Sequence, residues 1–208
     1  MAMFDGGHSE YTSGTLDFND LIGNPFDQLS QWLEDAEHAK VIEPMAMTLA
    51  TASSEGVPSA RMVLLRGLDN GVVFYTNYES RKGTELAEND HAAICFWWGA
   101  LERQVRIEGH VTKVSTDESD AYFASRPRDS QAASVASPQS HIISNREVIE
   151  AEMKRLLEEE VIERPAHWGG FRLIPNYFEF WQGRKARLHD RFAYVKQDEA
   201  WNIHRLAP

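Results

Sequence analysis

The first sustained pattern along the chain is helical. Phe26, Leu29, Trp32, Leu33 and Ala36 recur three or four positions apart, behind Asn24-Pro25, an N-cap and first-turn proline pair. This predicts an amphipathic helix to about Ala39. From Ala46 the period changes to two, so residues 46–52 and 60–68 read as strands joined by the turn Ser54-Glu55-Gly56. Asp69-Asn70-Gly71 predicts a type I' hairpin, because Asn-Gly tolerates positive φ, with residues 72–77 as the return strand. Residues 92–98, 104–114, 171–181 and 193–205 read as further strands, the last turning at Gln197-Asp198-Glu199.

Helices fall between the strands. Ser80 caps a short one through Asn89, residues 117–125 form another, and Ser144-Asn145-Arg146-Glu147 fits a capping box opening a helix to about Glu160. Residues 1–23, polar and Gly-rich without a sustained period, are expected to form a mobile arm before a single domain over 24–208. Antiparallel strands with intervening helices, without regular β-α alternation, predict a mainly β α+β fold: a closed or split barrel with peripheral helices.

Composition adds limits. Hydrophobic residues make up 42% of the 208 and aromatics 11%, enough for a real core. No apolar run approaches the ~20 residues of a membrane span, and residues 1–10 lack the basic start and apolar run of a signal peptide. The chain reads as cytoplasmic, with no membrane partner. A lone Cys95 excludes an internal disulfide framework or a multi-cysteine zinc site, and in Ile94-Cys95-Phe96-Trp97 it reads as a buried core thiol. The net charge of −11 argues against nucleic acid as a partner. Its distribution is uneven: residues 1–60 hold one basic residue, Lys40, against ten acidic ones, and the later cations fall in short knots. Such knots suit a small anion, although surface salt bridges would serve any single one as well.

Dinucleotide fingerprints, Walker loops, His-Glu-x-x-His, Cys-x-x-Cys and Gly-x-Ser-x-Gly are all absent, and no metal is expected. Three clusters remain. Ser80-Arg81-Lys82 sits at a predicted helix start, where unpaired amides and two cations suit phosphate; a plain N-cap is the alternative. Ser125-Arg126-Pro127-Arg128-Asp129-Ser130-Gln131 offers two guanidiniums and two hydroxyls to a second phosphate, or forms an Arg–Asp braced turn. If residues 187–191 are extended, Arg187, His189 and Arg191 share one face, awaiting an anion or π system unless Asp190 and Glu179 pair with them.

These clusters, with Arg61-Met62-Val63-Leu64-Leu65-Arg66, Phe74-Tyr75-Thr76-Asn77, Leu101-Glu102-Arg103-Gln104-Val105, Trp168-Gly169-Gly170-Phe171, Glu179-Phe180-Trp181-Gln182-Gly183, Arg187-Leu188-His189-Asp190-Arg191 and Arg205-Leu206-Ala207-Pro208, resemble the pyridoxamine 5'-phosphate oxidase family in order over about residues 24–208. The resemblance implies a homodimeric FMN-binding split barrel with active sites at the subunit interface. It implies oxidation of pyridoxamine or pyridoxine 5'-phosphate to pyridoxal 5'-phosphate, with O2 as acceptor and H2O2 as product.

By matching position, FMN contacts are expected from Arg61, Met62, Val63, Leu64, Leu65, Arg66, Tyr75, Thr76, Arg81, Lys82, Gln104, Gln139, Ser140, Trp181 and Arg191. The substrate phosphate would meet Arg66, Tyr122, Arg126 and Ser130. Arg187 and His189 would be catalytic, over the pyridine ring, and residues from His8 to Tyr11 would form a lid. Arg66 stands where the family usually carries lysine, and His8 where a lid arginine is common. A related FMN oxidase of phenazine precursors, a flavin reductase, and a non-enzymatic carrier of FMN or pyridoxal phosphate are the rival readings. The intact Arg126-Pro127-Arg128-Asp129-Ser130 motif speaks against the first.

Overall fold

The computed structural model describes residues 10–208, so the expected contact of His8 lies outside the described residues. The predicted elements form largely where expected. Asn24 caps α1 (Pro25–His38) by accepting from the Phe26 amide, and the apolar stripe Leu29, Trp32, Leu33 and Ala36 is buried. Nine strands follow: β1 (Ala46–Ala52), β2 (Pro58–Leu64), β3 (Gly67–Leu68), β4 (Val72–Asn77), β5 (His91–Trp98), β6 (Arg103–Lys113), β7 (Trp168–Gln182), β8 (Asp190–Gln197) and β9 (Ala200–Leu206). Hydrogen-bonded neighbours run β2-β1-β5-β6-β7-β4-β3, with β8 joined to β7 and β9 to β8. Between the strands lie α2 (Arg81–Glu88), α3 (Thr116–Ser125), α4 (Arg128–Ala136) and α5 (Glu147–Leu157). Among the described residues no helix is long and apolar enough to cross a membrane.

The chain divides into two compact units. Unit one comprises residues through Met47, Ile94–Ile107 and Asn176–Pro208; unit two comprises Thr48–Ala93 and Glu108–Pro175. In unit one, Trp32 of α1 meets Phe180 edge-on at 5.1 Å, and the Arg103 guanidinium covers the Trp32 ring at 4.5 Å while bonding Asp35 at 2.7 Å. The second half of β7 pairs antiparallel with β8, and β8 with β9. Residues 10–23 lie along this hairpin: Leu16 is buried and its amide donates to Asp190, Phe18 packs on Phe192, and Asp17 pairs with Arg205. In unit two the first half of β7 pairs with β4, register Thr76↔Gly169, and α3, α4 and α5 cover a second core of Phe123, Ala132, Leu156, Ile162 and Trp168.

Several local expectations are corrected. The hairpin at Asp69 has a three-residue connection, since Leu68 pairs with Val72, and no residue in it has positive φ. Asp69 Oδ1 accepts from the Gly71 amide, and a Cβ on Gly71 would lie 2.6 Å from the Leu173 carbonyl oxygen, so close approach requires the glycine. The expected strand 60–68 starts earlier and breaks at Leu65-Arg66. The Ser144 capping box does not form: α5 starts at Glu147, and Asn145 accepts from the Val148 amide. Residues 128–136, for which the sequence predicted no element, form α4; their small side chains gave no apolar period to see. Cys95 is half-buried on the opposite face of β5 from Ile94 and Phe96, so it is not a core thiol. Residues 187–191 are not extended: Ala186 and Arg187 take left-handed φ of 53° and 61°, and β8 begins only at Asp190. Alternation of Arg187, His189 and Arg191 on one strand face therefore fails.

Candidate anion-binding site

Unit two contains a cavity of about 1150 Å³. Its walls bring together Arg61, Met62, Val63, Leu64, Arg66, Tyr75, Thr76, Arg81, Lys82, Tyr122, Arg126, Ser130, Gln139 and Ser140, residues drawn from five separate stretches of sequence. Leu65 is the exception among the candidates from β2 and its end; it turns into the core and is buried.

Lys82 is only 8% exposed. Its Nζ donates to Gln139 Oε1 at 2.8 Å, Thr76 Oγ1 at 3.1 Å and Ser80 Oγ at 3.3 Å, all neutral acceptors. Burial, reinforced by the nearby Arg61 charge, draws the ammonium down to about 8. A desolvated cation with neutral partners gains from an anion, which would restore its charged form. The backbone fixes its place. Ser80 caps α2 by accepting from the Gly83 amide and donates to Asn77 O at 2.6 Å. A Cβ on Gly83 would sit 2.1 Å from Tyr78 O, so any other residue would push the first turn of α2, and Lys82 with it, off β4.

Arg61 donates to Thr51 Oγ1 at 2.6 Å, Leu49 O at 3.2 Å, Ser59 Oγ and Glu85 Oε2. Arg81 donates to Glu85 Oε1 at 2.8 Å. Burial alone would raise the Glu85 carboxyl; the Ser59, Thr51 and Arg81 hydrogen bonds and the Arg61 charge outweigh it and bring the group down to about 2.

A second cationic pair lies on the same cavity. The Arg126 guanidinium donates to Ser134 Oγ at 2.6 Å and covers the Trp168 ring at 4.7 Å. Burial lowers its pKa, Tyr122 opposes this, and the Arg66 charge adds to the lowering. Tyr75 stacks on Tyr122 at 3.7 Å and lies parallel to Trp168 at 5.6 Å, giving a flat aromatic wall. Burial pushes the Tyr75 hydroxyl up to about 12, so it stays a neutral donor. The rest of the expected cradle has other work. Arg128 donates to the carbonyls of Leu157, Glu159 and Glu160, capping α5, and Gln131 donates to the carbonyls of Phe123, Ala124 and Arg126, closing α3. Of the expected cradle at residues 125–131, Ser125, Arg126 and Ser130 border the cavity.

The remaining candidates lie in unit one. Tyr11, Trp181 and His189 form an aromatic cluster, with Trp181–His189 centroids 4.6 Å apart and Tyr11 at 5.6 Å from each. The Arg184 amide donates to His189 Nδ1 at 3.1 Å, which places the proton of a neutral ring on Nε2. Burial first, then the Arg187 and Arg191 charges, hold the imidazole below its ordinary range and favour that neutral ring. Arg191 is engaged by buried Glu179 at 2.8 Å and by Ala207 O at 2.9 Å. Gln104 sits half-buried in β6. Sequence reasoning missed Glu85 as a site-shaping residue, although its i,i+4 spacing from Arg81 was a signal. Glu179, the pairing alternative named for the 187–191 cluster, does hold Arg191.

The sheet topology defines an antiparallel split-barrel class of protein, and this cavity is lined by cationic side chains. Residues 33–158 match the family described as pyridoxamine 5'-phosphate oxidase, and residues 168–208 match the pyridoxine 5'-phosphate oxidase C-terminal dimerisation region. The chain belongs to the pyridoxamine 5'-phosphate oxidase family. It is 53% identical over 204 residues to a pyridoxine/pyridoxamine 5'-phosphate oxidase of Trichormus variabilis, covering 96% of this chain and 95% of the relative. It is 54% identical over 202 residues to one of Paraburkholderia phymatum, covering 95% of each. Among solved structures, PhzG from Burkholderia lata in complex with tetrahydrophenazine-1-carboxylic acid superposes with a TM-score of 0.88 at 35% identity, over 91% of this chain and 95% of that one. An FMN-binding protein of Nostoc punctiforme shares the fold, with a TM-score of 0.73 at 18% identity over 90% of this chain and all of that one. The expected split-barrel fold is thus the fold of the chain.

Proposed function

We propose that the chain is an FMN-dependent pyridoxine/pyridoxamine 5'-phosphate oxidase whose unit-two cavity binds two phosphates, that of FMN and that of the substrate. The observation that carries this is the pairing of two cationic groups on one cavity, Lys82 with Arg61 and Arg81, and Arg126 with Arg66. The residues fit FMN. Buried Lys82 has only neutral partners, Arg61 and Arg81 face the same space, and Gln139 and Ser140 border it. Met62, Val63, Leu64, Arg66, Tyr75, Thr76, Gln104, Trp181 and Arg191 complete the assigned cofactor residues; Leu65, turned into the core, is left out. FMN, when bound, supplies the two-electron acceptor that takes a hydride from the substrate's C4' carbon and is reoxidised by O2, releasing H2O2.

The protein's own residues bind and orient. Arg126 and Arg66 hold the substrate phosphate, with the Tyr122 and Ser130 hydroxyls as further donors. Arg187 and His189 hold the C4' substituent. Because Nδ1 of His189 is taken by the Arg184 amide, its Nε2–H is the group that donates to substrate. Fixing reactants in this way lowers the barrier by several kcal/mol, on the order of what oriented intramolecular reactions gain. Tyr11 belongs to the substrate set; its contacts with Trp181 and His189 support this. Residues 24–208 act as one functional domain.

The assembly is a homodimer, and its two active sites lie at the subunit interface. We place it in the cytoplasm; the single cysteine and the lack of a membrane-crossing helix among the described residues support this. The likeness to PhzG keeps a phenazine substrate as the second reading, but Arg126 with Arg66 is a site for a phosphate. Anaerobic mixing with pyridoxamine 5'-phosphate decides: the bound flavin should bleach stoichiometrically, and oxygen should then restore its colour with equal pyridoxal 5'-phosphate and H2O2. Flavin that stays oxidised would leave a carrier.

A further inference from the structure

Glu85 is a carboxylate buried among cations, 6% exposed, and the chemistry above does not use it. It lies one turn after Arg81 on α2. Oε1 accepts from Arg81 Nε, and Oε2 accepts from Arg61 together with the Thr51 and Ser59 hydroxyls. Arg61 and Arg81 both line the large cavity, whereas Glu85 is absent from its walls. The carboxylate therefore stands behind the two guanidiniums.

We propose that Glu85 is a positioning residue for the cofactor phosphate, fixing Arg61 and Arg81 at the cavity wall and setting the charge of the site to suit a phosphate dianion. The proposal rests on reading the cavity as the FMN site. Three cations, Arg61, Arg81 and Lys82, against one carboxylate leave two positive charges, the complement of a phosphate monoester. Long arginine side chains otherwise lose rotamer freedom on meeting a ligand, and two like charges side by side repel. A buried acceptor that already aligns both moves that cost from binding into folding. The Thr51 and Ser59 hydroxyls complete the hydrogen bonding that a buried carboxylate needs.

Two effects of Glu85 have opposite signs, which makes the proposal decidable. Through its field alone, its negative charge weakens anion binding; through alignment it strengthens it. Full-length apo-protein is titrated with FMN and, separately, with riboflavin, which lacks the phosphate, following flavin fluorescence. Glu85→Gln should weaken FMN about 10- to 100-fold, the range of one charged hydrogen bond, and leave riboflavin within about twofold of wild type. Glu85→Asp, which keeps the charge but shortens the reach, should give a smaller loss with the same split, and it serves alone where Glu85→Gln does not fold. FMN binding that is unchanged or tighter in Glu85→Gln, or a loss shared equally by riboflavin, overturns the role of Glu85 while the wild-type preference for FMN stands. A wild type that binds riboflavin as tightly as FMN overturns the cavity reading and this proposal together.

Discussion

Two arginine clusters that look alike in the chain are built in opposite ways. In unit two, Lys82 bonds only neutral atoms, Arg126 a hydroxyl and an indole face, and Arg61 and Arg81 share the single carboxylate of Glu85. In unit one, Arg184 and Arg205 share Asp190, Arg205 also holds Asp17, and Arg191 and Arg106 close on Glu179. The first set has positive charge left over for ligands. The second is spent largely on tying residues 13–22 and the turn before β8 to the β8–β9 hairpin. The fold thus withholds counter-ions from the unit-two knot and supplies them to most of the unit-one knot.

The sharpest break between the clusters is expected at the residues assigned to substrate. Arg187→Ala and His189→Ala should retain FMN yet slow single-turnover flavin reduction by about 10²-fold or more, the scale of a lost transition-state donor. Wild-type reduction rates in either variant would remove it from the catalytic set. Next, Lys82→Ala should weaken FMN by about 10- to 100-fold, read by equilibrium dialysis. Arg191→Ala should weaken FMN as well, but it also strips a buried partner from Glu179 and should lower apo-protein stability by about 1–3 kcal/mol in urea denaturation. Apo-protein of native stability in Arg191→Ala would contradict its place in a matched pair.

A smaller effect follows from the pH dependence of Lys82. Phosphate favours the charged ammonium, so FMN binding takes up a proton once the apo-protein lysine begins to deprotonate. FMN affinity should be flat between the second ionisation of the phosphate, at pH ~6, and pH about 8, and fall above it by at most tenfold per pH unit. The same depression means that the unfolded chain binds more protons between pH about 8 and 10.5, so apo-protein stability contributed by this group rises with pH there. Affinity flat to pH 10 would break the assignment. Smallest is Arg66→Lys, which restores the residue usual in the family and should change substrate KM by no more than about twofold, since charge is kept while reach differs.

The repeating signals were legible in the sequence. The α1 stripe, the Ser80 cap and most of the period-two strands correspond to elements found where the residues said. What was hidden depends on distant partners or on weak periodicity. Small residues 132–136 masked α4, and nothing local showed that Arg128 caps α5 rather than facing a ligand. Two successive left-handed residues at Ala186-Arg187, neither of them glycine, undid the face expected for residues 187–191. The match of Arg191 with Glu179 stood among the alternatives read from the sequence, but that of Arg205 with Asp17 was invisible, because the two lie 188 positions apart.

The contrast between spent and spare charge is tested most directly by melting apo-protein and FMN-loaded Lys82→Met beside wild type. Methionine keeps most of the side-chain volume and removes the desolvated charge. The apo variant should be at least as stable as wild-type apo-protein, while most of the stabilisation by added FMN is lost. An apo variant that melts well below wild type and is still stabilised normally by FMN would show that Lys82 serves the scaffold and not the phosphate.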